Sequence, residues 1–203
     1  PTEKNGGWNY MAPFSPRDVI AEYTRPARVV RKGVTVTLPA LTERHLIEVQ
    51  GRGTMEAFLT DGLRSVMSSI PAEEMSEYTV RWPGHIERFV RERESNSLDL
   101  ERLIGEWSFD SDTPEFTWME VSAIDHLGNS MNWIVNDSGG EDGSSMARTT
   151  GLVTVGCIRA WVEDPGMLEP GIHAPESLPR NVVDSIIEMM RENGVEIIGP
   201  IVN

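Results

Sequence analysis

Apolar and polar residues near the start of the chain are spaced first as in a loop and then as in a helix. Residues 1–16 mix glycines, prolines and polar residues in irregular order, which is typical of a loop. Ser15-Pro16 can begin a helix. The serine side chain can accept from the free backbone N–H groups of the first turn, and the first helical position does not need the N–H that proline lacks. The apolar residues within 19–23 share one helical face, and Pro26 ends the predicted helix.

The following segments alternate apolar and polar residues with the period of a strand. We predict a hairpin around Lys32-Gly33 and a further strand over 46–49. Residues 61–70 instead place apolar side chains three and four positions apart, which predicts a helix that Pro71 stops. Residues 78–82 are predicted to form a strand that leads into a Pro-Gly turn.

The second half of the chain also mixes helical and strand spacing. Amphipathic helices are predicted over 85–93 and 98–107, followed by a hairpin of long strands over 116–123 and 131–135. Two more helices, over 144–162 and 179–192, and a last strand over 195–198 complete the chain. Strands and helices are interspersed without regular βαβ alternation. We therefore predict an α+β fold, a mixed β-sheet with helices on one face, over residues 1–203.

Composition is that of an ordinary globular protein, and the charge excludes some partners. The chain has 203 residues, 39% of them hydrophobic and 25% charged, which argues against disorder, collagen and disulfide scaffolds. Its formal net charge of −14 repels nucleic acids and anionic membrane surfaces. Cys157 is the only cysteine, and no apolar run is long enough to cross a bilayer. We expect a cytoplasmic protein with neither nucleic acid nor membrane as a partner.

Two motif types that carry chemistry in other proteins are not supported. Gly51-Arg52-Gly53 follows a predicted strand, as a dinucleotide fingerprint does, but Glu56 stands at the third glycine position and no helix follows. A glycine-containing connection between strands explains this segment better. The histidines show no metal-ligand spacing, so we expect no metal site; they are His45, His85, His126 and His173.

Residues beside element boundaries are the remaining candidates. Arg17 and Arg81 could bind a carboxylate with their guanidinium groups, or form surface ion pairs. His85 follows a Trp-Pro-Gly turn at a strand-to-helix junction, where it could contact a ligand or cap and pack the helix. Ser144 and Ser145 precede a helix, where they could hold an anion or serve only as caps.

Five segments occur in an order that resembles one known family: 14–17 with 25–27, 53–58 with 60–64, 79–85, 144–151 and 170–176. The chain resembles the C-terminal catalytic and dimerisation domain of saccharopine dehydrogenases and their relatives, which include saccharopine reductase and carboxynorspermidine dehydrogenase. The resemblance extends over nearly the whole chain, with 94–112 weakly patterned.

The resemblance implies an oxidoreductase that transfers hydride between NAD or NADP and an imine of an amino-acid-type substrate. In this family an N-terminal Rossmann domain binds the cofactor. That domain is missing from this sequence, so the cofactor is expected to bind mainly outside this chain, and the fragment is not expected to be active alone. The opening at Pro1 is expected to be a cut near the domain junction, and residues 144–203 are expected to return toward the Rossmann domain.

Site residues and partners follow from the same resemblance. Arg17 is implied to bind a substrate carboxylate. The resemblance implies that four further residues line the substrate cleft or the interdomain face: Arg81, His85, Ser144 and Ser145. His85 is the one candidate acid or base, a role that otherwise belongs to the missing domain. The expected ligand is a small dicarboxylate amino acid.

A homodimer is also expected, because the exposed sheet and the apolar residues of 153–161 would otherwise meet water. Phe14 and Trp82 replace aromatic residues usual in the family, which leaves the exact substrate open. The alternative hypothesis is a non-catalytic dimerisation or interaction module that retains the fold.

Overall fold

The computed structural model describes residue 1 and residues 7–202. The chain divides into two compact units, which we call the N-terminal unit (Pro1–Asp112) and the C-terminal unit (Thr113–Asn203). Both units combine helices with antiparallel sheets, so the predicted α+β class is confirmed. No helix in the described part of the chain is long and apolar enough to span a membrane.

Helices and strands of the N-terminal unit are interspersed along the chain. They are α1 (Pro16–Thr24), β1 (Ala27–Arg31), β2 (Val34–Leu38), β3 (His45–Val49), β4 (Gly53–Leu59), α2 (Val66–Ser69), β5 (Glu74–Met75), β6 (Tyr78–Arg81), α3 (His85–Glu94) and α4 (Leu100–Glu106). The strands form two antiparallel sheets with the orders β2-β1-β5 and β3-β4-β6.

The mixed sheet expected from the sequence takes the form of small antiparallel sheets. Short turns connect β1 to β2 and β3 to β4, and turns of this length join antiparallel strands only. Between β1 and β2, Lys32 and Gly33 have φ values of 53° and 75°. Positive φ at both central residues is the conformation of the type I′ turn that suits a two-residue hairpin.

The helix predicted over residues 61–70 is wrong, because only the single turn α2 forms there. Asp61 instead accepts hydrogen bonds from Arg28, and the Gly62 amide donates to the Glu77 carboxylate at 3.1 Å. Arg64 has a φ of 50°, which a right-handed helix does not allow. These tertiary hydrogen bonds outweigh the helical spacing of the apolar residues.

An aromatic core joins α1, α3 and α4 to the β3-β4-β6 sheet. Tyr23 of α1 packs edge-on against Phe58 of β4 and Phe89 of α3, with ring centroids 5.3 and 5.1 Å apart. In the sheet, Phe58 lies opposite Thr79, and Glu56 lies opposite Arg81. Since side chains alternate between sheet faces, Arg81 extends from the same face as Phe58, the face covered by α1.

The C-terminal unit is one antiparallel sheet with two helices against it. Its elements are β7 (Thr117–Ile124), β8 (Ser130–Asp137), α5 (Ser145–Glu163), a 3₁₀ turn (Pro175–Ser177), α6 (Arg180–Glu192) and β9 (Glu196–Val202), with the sheet order β7-β8-β9. Val182, Ile186 and Met190 of α6 pack with Leu152 of α5 and Val135 of β8. Both helices therefore contribute to one core with the sheet, as the sequence predicts.

Candidate functional site

Arg81, the last residue of β6, is held in place by two tyrosines of the N-terminal unit. Its Nε donates to the Tyr23 hydroxyl at 2.9 Å, and its Nη2 donates to the Tyr10 hydroxyl at 3.4 Å. The guanidinium also lies 4.4 Å from the centre of the Tyr10 ring, a cation–π distance. Nη1 donates to the Val80 carbonyl at 2.9 Å.

All of these hydrogen-bond partners of Arg81 are uncharged. Among residues 1 and 7–202, no carboxylate oxygen lies within 4.0 Å of its guanidinium. The side chain is only partly exposed, and an arginine remains a cation under all ordinary conditions. A partly buried cation of this kind is most stable when an anion is bound beside it. The structure thus provides an oriented guanidinium whose remaining N–H donors can receive a carboxylate.

Tyr23 connects Arg81 to the buried imidazole of His85. His85 is 2% exposed; its Nε2 lies 3.1 Å from the Tyr23 hydroxyl, and its Nδ1 lies 2.9 Å from the Trp8 carbonyl. Because a carbonyl only accepts, Nδ1 carries the proton and Nε2 accepts from the Tyr23 hydroxyl. That leaves the hydroxyl oxygen to accept from Arg81.

Burial keeps this imidazole neutral. Desolvation lowers the pKa of His85 to about 3, and the positive charges of Arg81 and Arg88 act in the same direction, while the hydrogen bond to the Trp8 carbonyl opposes them. With both ring nitrogens bonded inside the protein, the geometry favours a positioning role for His85. Its role as acid or base stays a prediction from the resemblance.

Aromatic rings enclose the imidazole on several sides. The rings of Trp8, Tyr10 and Trp107 have centroids 5.3, 5.2 and 5.3 Å from that of His85. Trp8 is itself held by the Arg88 guanidinium 4.0 Å above its ring. The rigid aromatic surroundings exclude water from the His85–Tyr23 bond and fix the orientation of the tyrosine that Arg81 contacts.

A carboxylate with an altered pKa lies close to Arg81. Burial raises the pKa of the Glu22 carboxyl above its usual range, while the charge of Arg81 partly opposes that rise. Glu77 is near enough to raise the Glu22 pKa further, and it is held by the Thr60 hydroxyl at 2.5 Å and the Gly62 amide. A partly buried acid of this kind beside an arginine is typical of functional sites.

Arg17, the first candidate from the sequence, lies near the start of α1 and contacts a residue outside the group around Arg81. Its side chain is 67% exposed and donates from Nη2 to Glu101 of α4 at 2.7 Å. Tyr23 is six residues further along the helix, about 9 Å along its axis. The substrate-binding role of Arg17 stays a prediction.

Ser144 and Ser145 lie in the C-terminal unit at the start of α5. The Ser144 hydroxyl accepts from the Ala147 amide at 3.4 Å, as an N-cap does. Ser145 is fully buried, and its amide and hydroxyl donate to the two Glu115 oxygens at 2.6 and 2.5 Å. An internal carboxylate therefore already occupies the helix N-terminus where the sequence suggests an anion site. Their role toward substrate stays a prediction.

Several residues of the site around Arg81 escape the sequence analysis. Tyr10 falls in a segment predicted as loop, and Tyr23 has the spacing of an ordinary core residue. Glu22 has the pattern of a solvent-facing helix position, and Glu77 precedes a strand without any motif. Only the three-dimensional structure distinguishes them, because Tyr10, Tyr23 and Glu22 lie near Arg81 and Glu77 lies near Glu22.

Comparison with known proteins agrees with the resemblance of the motifs. The family model described as "Saccharopine dehydrogenase C-terminal domain" matches residues 1–195. The fold is similar to that of apo histidine-tagged saccharopine dehydrogenase (L-Glu forming) from Saccharomyces cerevisiae, with a TM-score of 0.62 and 14% sequence identity. The match covers 94% of this chain but 62% of that one, so the chain spans less than two thirds of its structural relative. The chain belongs to the saccharopine dehydrogenase C-terminal domain family.

Proposed function

We propose that this chain is the substrate-binding domain of an NAD(P)-dependent oxidoreductase acting on the CH–NH bond of an amino-acid-type substrate. We further propose that Arg81 binds a carboxylate of that substrate. The observation that carries this proposal is the oriented guanidinium of Arg81, which has two tyrosines and no carboxylate as partners among the described residues. A guanidinium fork matches a carboxylate with two parallel hydrogen bonds, which supplies orientation as well as affinity.

The glycine-containing segment that follows β3 does not fit a dinucleotide cofactor. The segment Gly51-Arg52-Gly53 joins the antiparallel strands β3 and β4, and no helix N-terminus follows it to receive a pyrophosphate. We therefore assign cofactor binding to a Rossmann domain outside this chain. This chain would contribute orientation and charge, which is what a cofactor-dependent reaction requires of the protein.

Glu22 is the proposed partner of the substrate amine. An amino-acid-type substrate carries a cationic nitrogen near a carboxylate, and the site offers a carboxylate close to a guanidinium. The raised pKa of Glu22 brings its titration closer to neutral pH, which suits a group that exchanges a proton with an amine. The two side chains would recognise opposite charges of one ligand.

Homodimerisation is proposed alongside, with a second copy of this chain as the partner. Large apolar side chains of the C-terminal unit are exposed on strand β7 and helix α5: Met119, Val121, Ile124, Val153, Val155, Ile158 and Trp161. Exposed apolar residues in this number are typical of interaction surfaces. They also support the second candidate function, a dimerisation or interaction module without a substrate role.

Ligand-induced stabilisation separates the two functions. We would measure the melting temperature of this chain with dicarboxylate amino acids, saccharopine among them, in the wild type, Arg81→Gln and Arg17→Ala. Arg180→Gln is the charge-matched control, because Arg180 is fully exposed and pairs only loosely with Asp184 at 3.7 Å. Arg81→Lys keeps the cation if the glutamine variant does not fold.

The proposal predicts stabilisation that Arg81→Gln reduces and Arg180→Gln does not, with an affinity loss of roughly ten- to a hundredfold. Loss of binding in Arg17→Ala alone would transfer the carboxylate contact to Arg17. Absence of stabilisation by every ligand would favour the interaction module.

A further inference from the structure

We propose that two copies of this chain pair edge to edge through strand β7, antiparallel, with Val121 of one copy opposite Val121 of the other. The inference rests on the proposed homodimer and names the surface through which the copies meet. The pairing joins the three-stranded sheets β7-β8-β9 of two copies into one continuous sheet. It does not involve Arg81, so it and the proposed carboxylate site can fail separately.

Strand β7 lies at an edge of the sheet in the C-terminal unit. Among residues 1 and 7–202, only β8 pairs with it. Its eight residues follow β8 in an unbroken register, from Thr117 opposite Asp137 to Ile124 opposite Ser130. The backbone groups along the other side of such a long, regular edge strand form a template for a further strand.

The turn after β7 determines which backbone groups face outward. The Asp125 amide donates to the Asn129 carbonyl at 3.0 Å, so these two residues form a hydrogen-bonded pair. Hydrogen-bonded and non-hydrogen-bonded pairs alternate along an antiparallel ladder. The amides and carbonyls that point away from β8 therefore belong to the even-numbered residues: Trp118, Glu120, Ser122 and Ile124. A second strand can bond to these groups without disturbing β8.

A two-fold axis at Val121 uses all of the outward groups. It places Trp118 opposite Ile124 of the other copy and Glu120 opposite Ser122, and each of these pairs forms two hydrogen bonds. Glu120 is the only charged residue of β7. An axis at Glu120 would set two carboxylates directly opposite each other, and an axis at Ser122 would set Glu120 against Ile124. The sequence of β7 thus favours the register centred on Val121.

Apolar side chains on one face of β7 are left in solvent. Met119 lies opposite Val135, which packs in the core with α5 and α6. Because side chains alternate, Met119, Val121 and Ala123 extend from this same face. Met119 and Val121 are nevertheless 49% and 50% exposed, so the helices cover β8 but not β7. In the proposed register the two Val121 side chains meet at the axis, and Met119 of each copy contacts Ala123 of the other. The pairing therefore buries apolar surface that a single copy exposes.

The opposite edge of the same sheet is protected against pairing. Strand β9 contains Pro200, which has no amide donor, and the register of β9 with β8 shifts between Asn132 and Ile134. Prolines and bulges are common means by which edge strands avoid further pairing. Strand β7 contains no proline, lysine or arginine. The contrast between the two edges identifies β7 as the contact surface.

Disulfide crosslinking tests this register directly. In a Cys157→Ala background, which removes the native thiol, Val121→Cys and Ala123→Cys each introduce one cysteine on the same exposed face. Thiols at position 121 would face each other across the axis, where the Cα atoms of an antiparallel pair are about 4.5–5.5 Å apart, as a disulfide requires. Thiols at position 123 would be four residues out of register, about 13–14 Å apart along the strand. Oxidised glutathione starts the reaction, and urea unfolding verifies that each variant is folded.

A charge placed on the axis tests the same contact without a thiol. Val121→Lys sets two ammonium groups directly opposite each other, which destabilises the pairing. Val155→Lys is the matched control, because it replaces a valine of α5 that is 43% exposed, close to the exposure of Val121. Sedimentation velocity over a range of protein concentrations measures the dissociation constant of the dimer in each variant.

We expect the wild type to dimerise, Val121→Cys to crosslink roughly tenfold faster than Ala123→Cys, and Val121→Lys, unlike Val155→Lys, to raise the dissociation constant roughly tenfold or more. A dimer that crosslinks equally at both positions and tolerates Val121→Lys would overturn the pairing through β7 and leave the homodimer. A monomer at every concentration would overturn both. Neither result affects the carboxylate site, which ligand-induced stabilisation and Arg81→Gln test independently.

Discussion

The Tyr23 hydroxyl donates a hydrogen bond to Nε2 of His85 and accepts one from Nε of Arg81. Helix α1, strand β6 and the start of helix α3 therefore meet at a single oxygen atom. The acceptor position of neutral His85 determines the direction in which the tyrosine hydrogen points. That direction leaves the oxygen lone pairs free to accept from the Arg81 guanidinium, so the tyrosine orients the guanidinium through a hydrogen bond.

Tyr23→Phe is expected to destabilise the N-terminal unit by about 1–3 kcal/mol, because it leaves the buried Nε2 of His85 and the Nε of Arg81 without a partner. Tyr10→Phe is the matched control. Its hydrogen bond to Arg81 is long, at 3.4 Å, and its ring face is kept, so less than about 1 kcal/mol is expected. Urea unfolding measures both. Equal losses of unfolding free energy in the two variants would contradict the bridging role of the Tyr23 hydroxyl between His85 and Arg81.

Protonation of His85 should make stability depend on pH. Its pKa is about 3 in the folded chain, below the unfolded value of about 6.5, so the unfolded state binds more protons between these limits. The contribution is fully present above pH 6.5 and is lost as the pH falls toward 3, with a slope on the order of 1 kcal/mol per pH unit.

His85→Gln should flatten this slope, and the window from pH 5 to 6.5 isolates it. Asp61, whose pKa is lowered mainly by hydrogen bonds from Arg28, loses its contribution only at lower pH. The raised pKa of Glu22 makes the free energy of unfolding change with pH in the opposite direction. Because Glu22 is present in both proteins, its effect cancels in the difference between wild type and His85→Gln. His126→Gln, in the exposed turn between β7 and β8, is the control. Parallel stability curves for wild type and His85→Gln would contradict a neutral, buried imidazole.

Gly156 of α5 should not tolerate a side chain. A Cβ there would lie 2.8 Å from Ile186 Cγ1 and 3.1 Å from Met189 Cε of α6. Gly156→Ala is therefore expected to cost about 1–3 kcal/mol through overpacking. Gly151→Ala, in the same helix with open space around its Cβ, should instead stabilise the chain by up to about 1 kcal/mol. The difference in urea midpoint between these variants measures how closely the two helices approach.

Ser145→Ala should destabilise the C-terminal unit by about 1–3 kcal/mol, because Glu115 loses its bond from the buried hydroxyl. Ser144→Ala removes a cap with a long bond of 3.4 Å and should cost about 1 kcal/mol or less. Thermal unfolding gives both values. Neither variant is expected to change carboxylate binding at Arg81; a selective loss of ligand binding in Ser145→Ala would assign the substrate role that the resemblance implies.

The exposed pair of Arg17 and Glu101 should contribute little to stability. Both side chains are more than two thirds exposed, and such pairs are worth about 0–1 kcal/mol. Arg17→Ala should therefore leave the urea midpoint nearly unchanged. A much larger loss would indicate that Arg17 has a structural role beyond this ion pair.

Local spacing of apolar residues was sufficient to predict most elements. The face of α1 that buries Val19, Ile20 and Tyr23 is visible in the sequence, because burial along a helix repeats every three or four residues. The hairpin of β7 and β8 and the long helix α5 also follow their predicted ranges closely. The ordered motifs indicated the family, and the family model that matches residues 1–195 confirms it.

Only the tertiary structure determined which residues form the candidate site and which backbone conformation residues 61–70 adopt. Tyr23 and Arg81 are 58 positions apart, and Arg28 and Asp61 are 33 positions apart, so their hydrogen bonds leave no periodic signal in the sequence. Residues 61–70 have the apolar spacing of a helix, but the two hydrogen bonds between the buried Asp61 carboxylate and the Arg28 guanidinium stabilise a non-helical backbone more strongly. Sequence periodicity reports which side of an element is buried. The partner of a polar group at the end of that element is determined by the packing of distant segments, because a buried charge or donor is stable only where the fold supplies its complement.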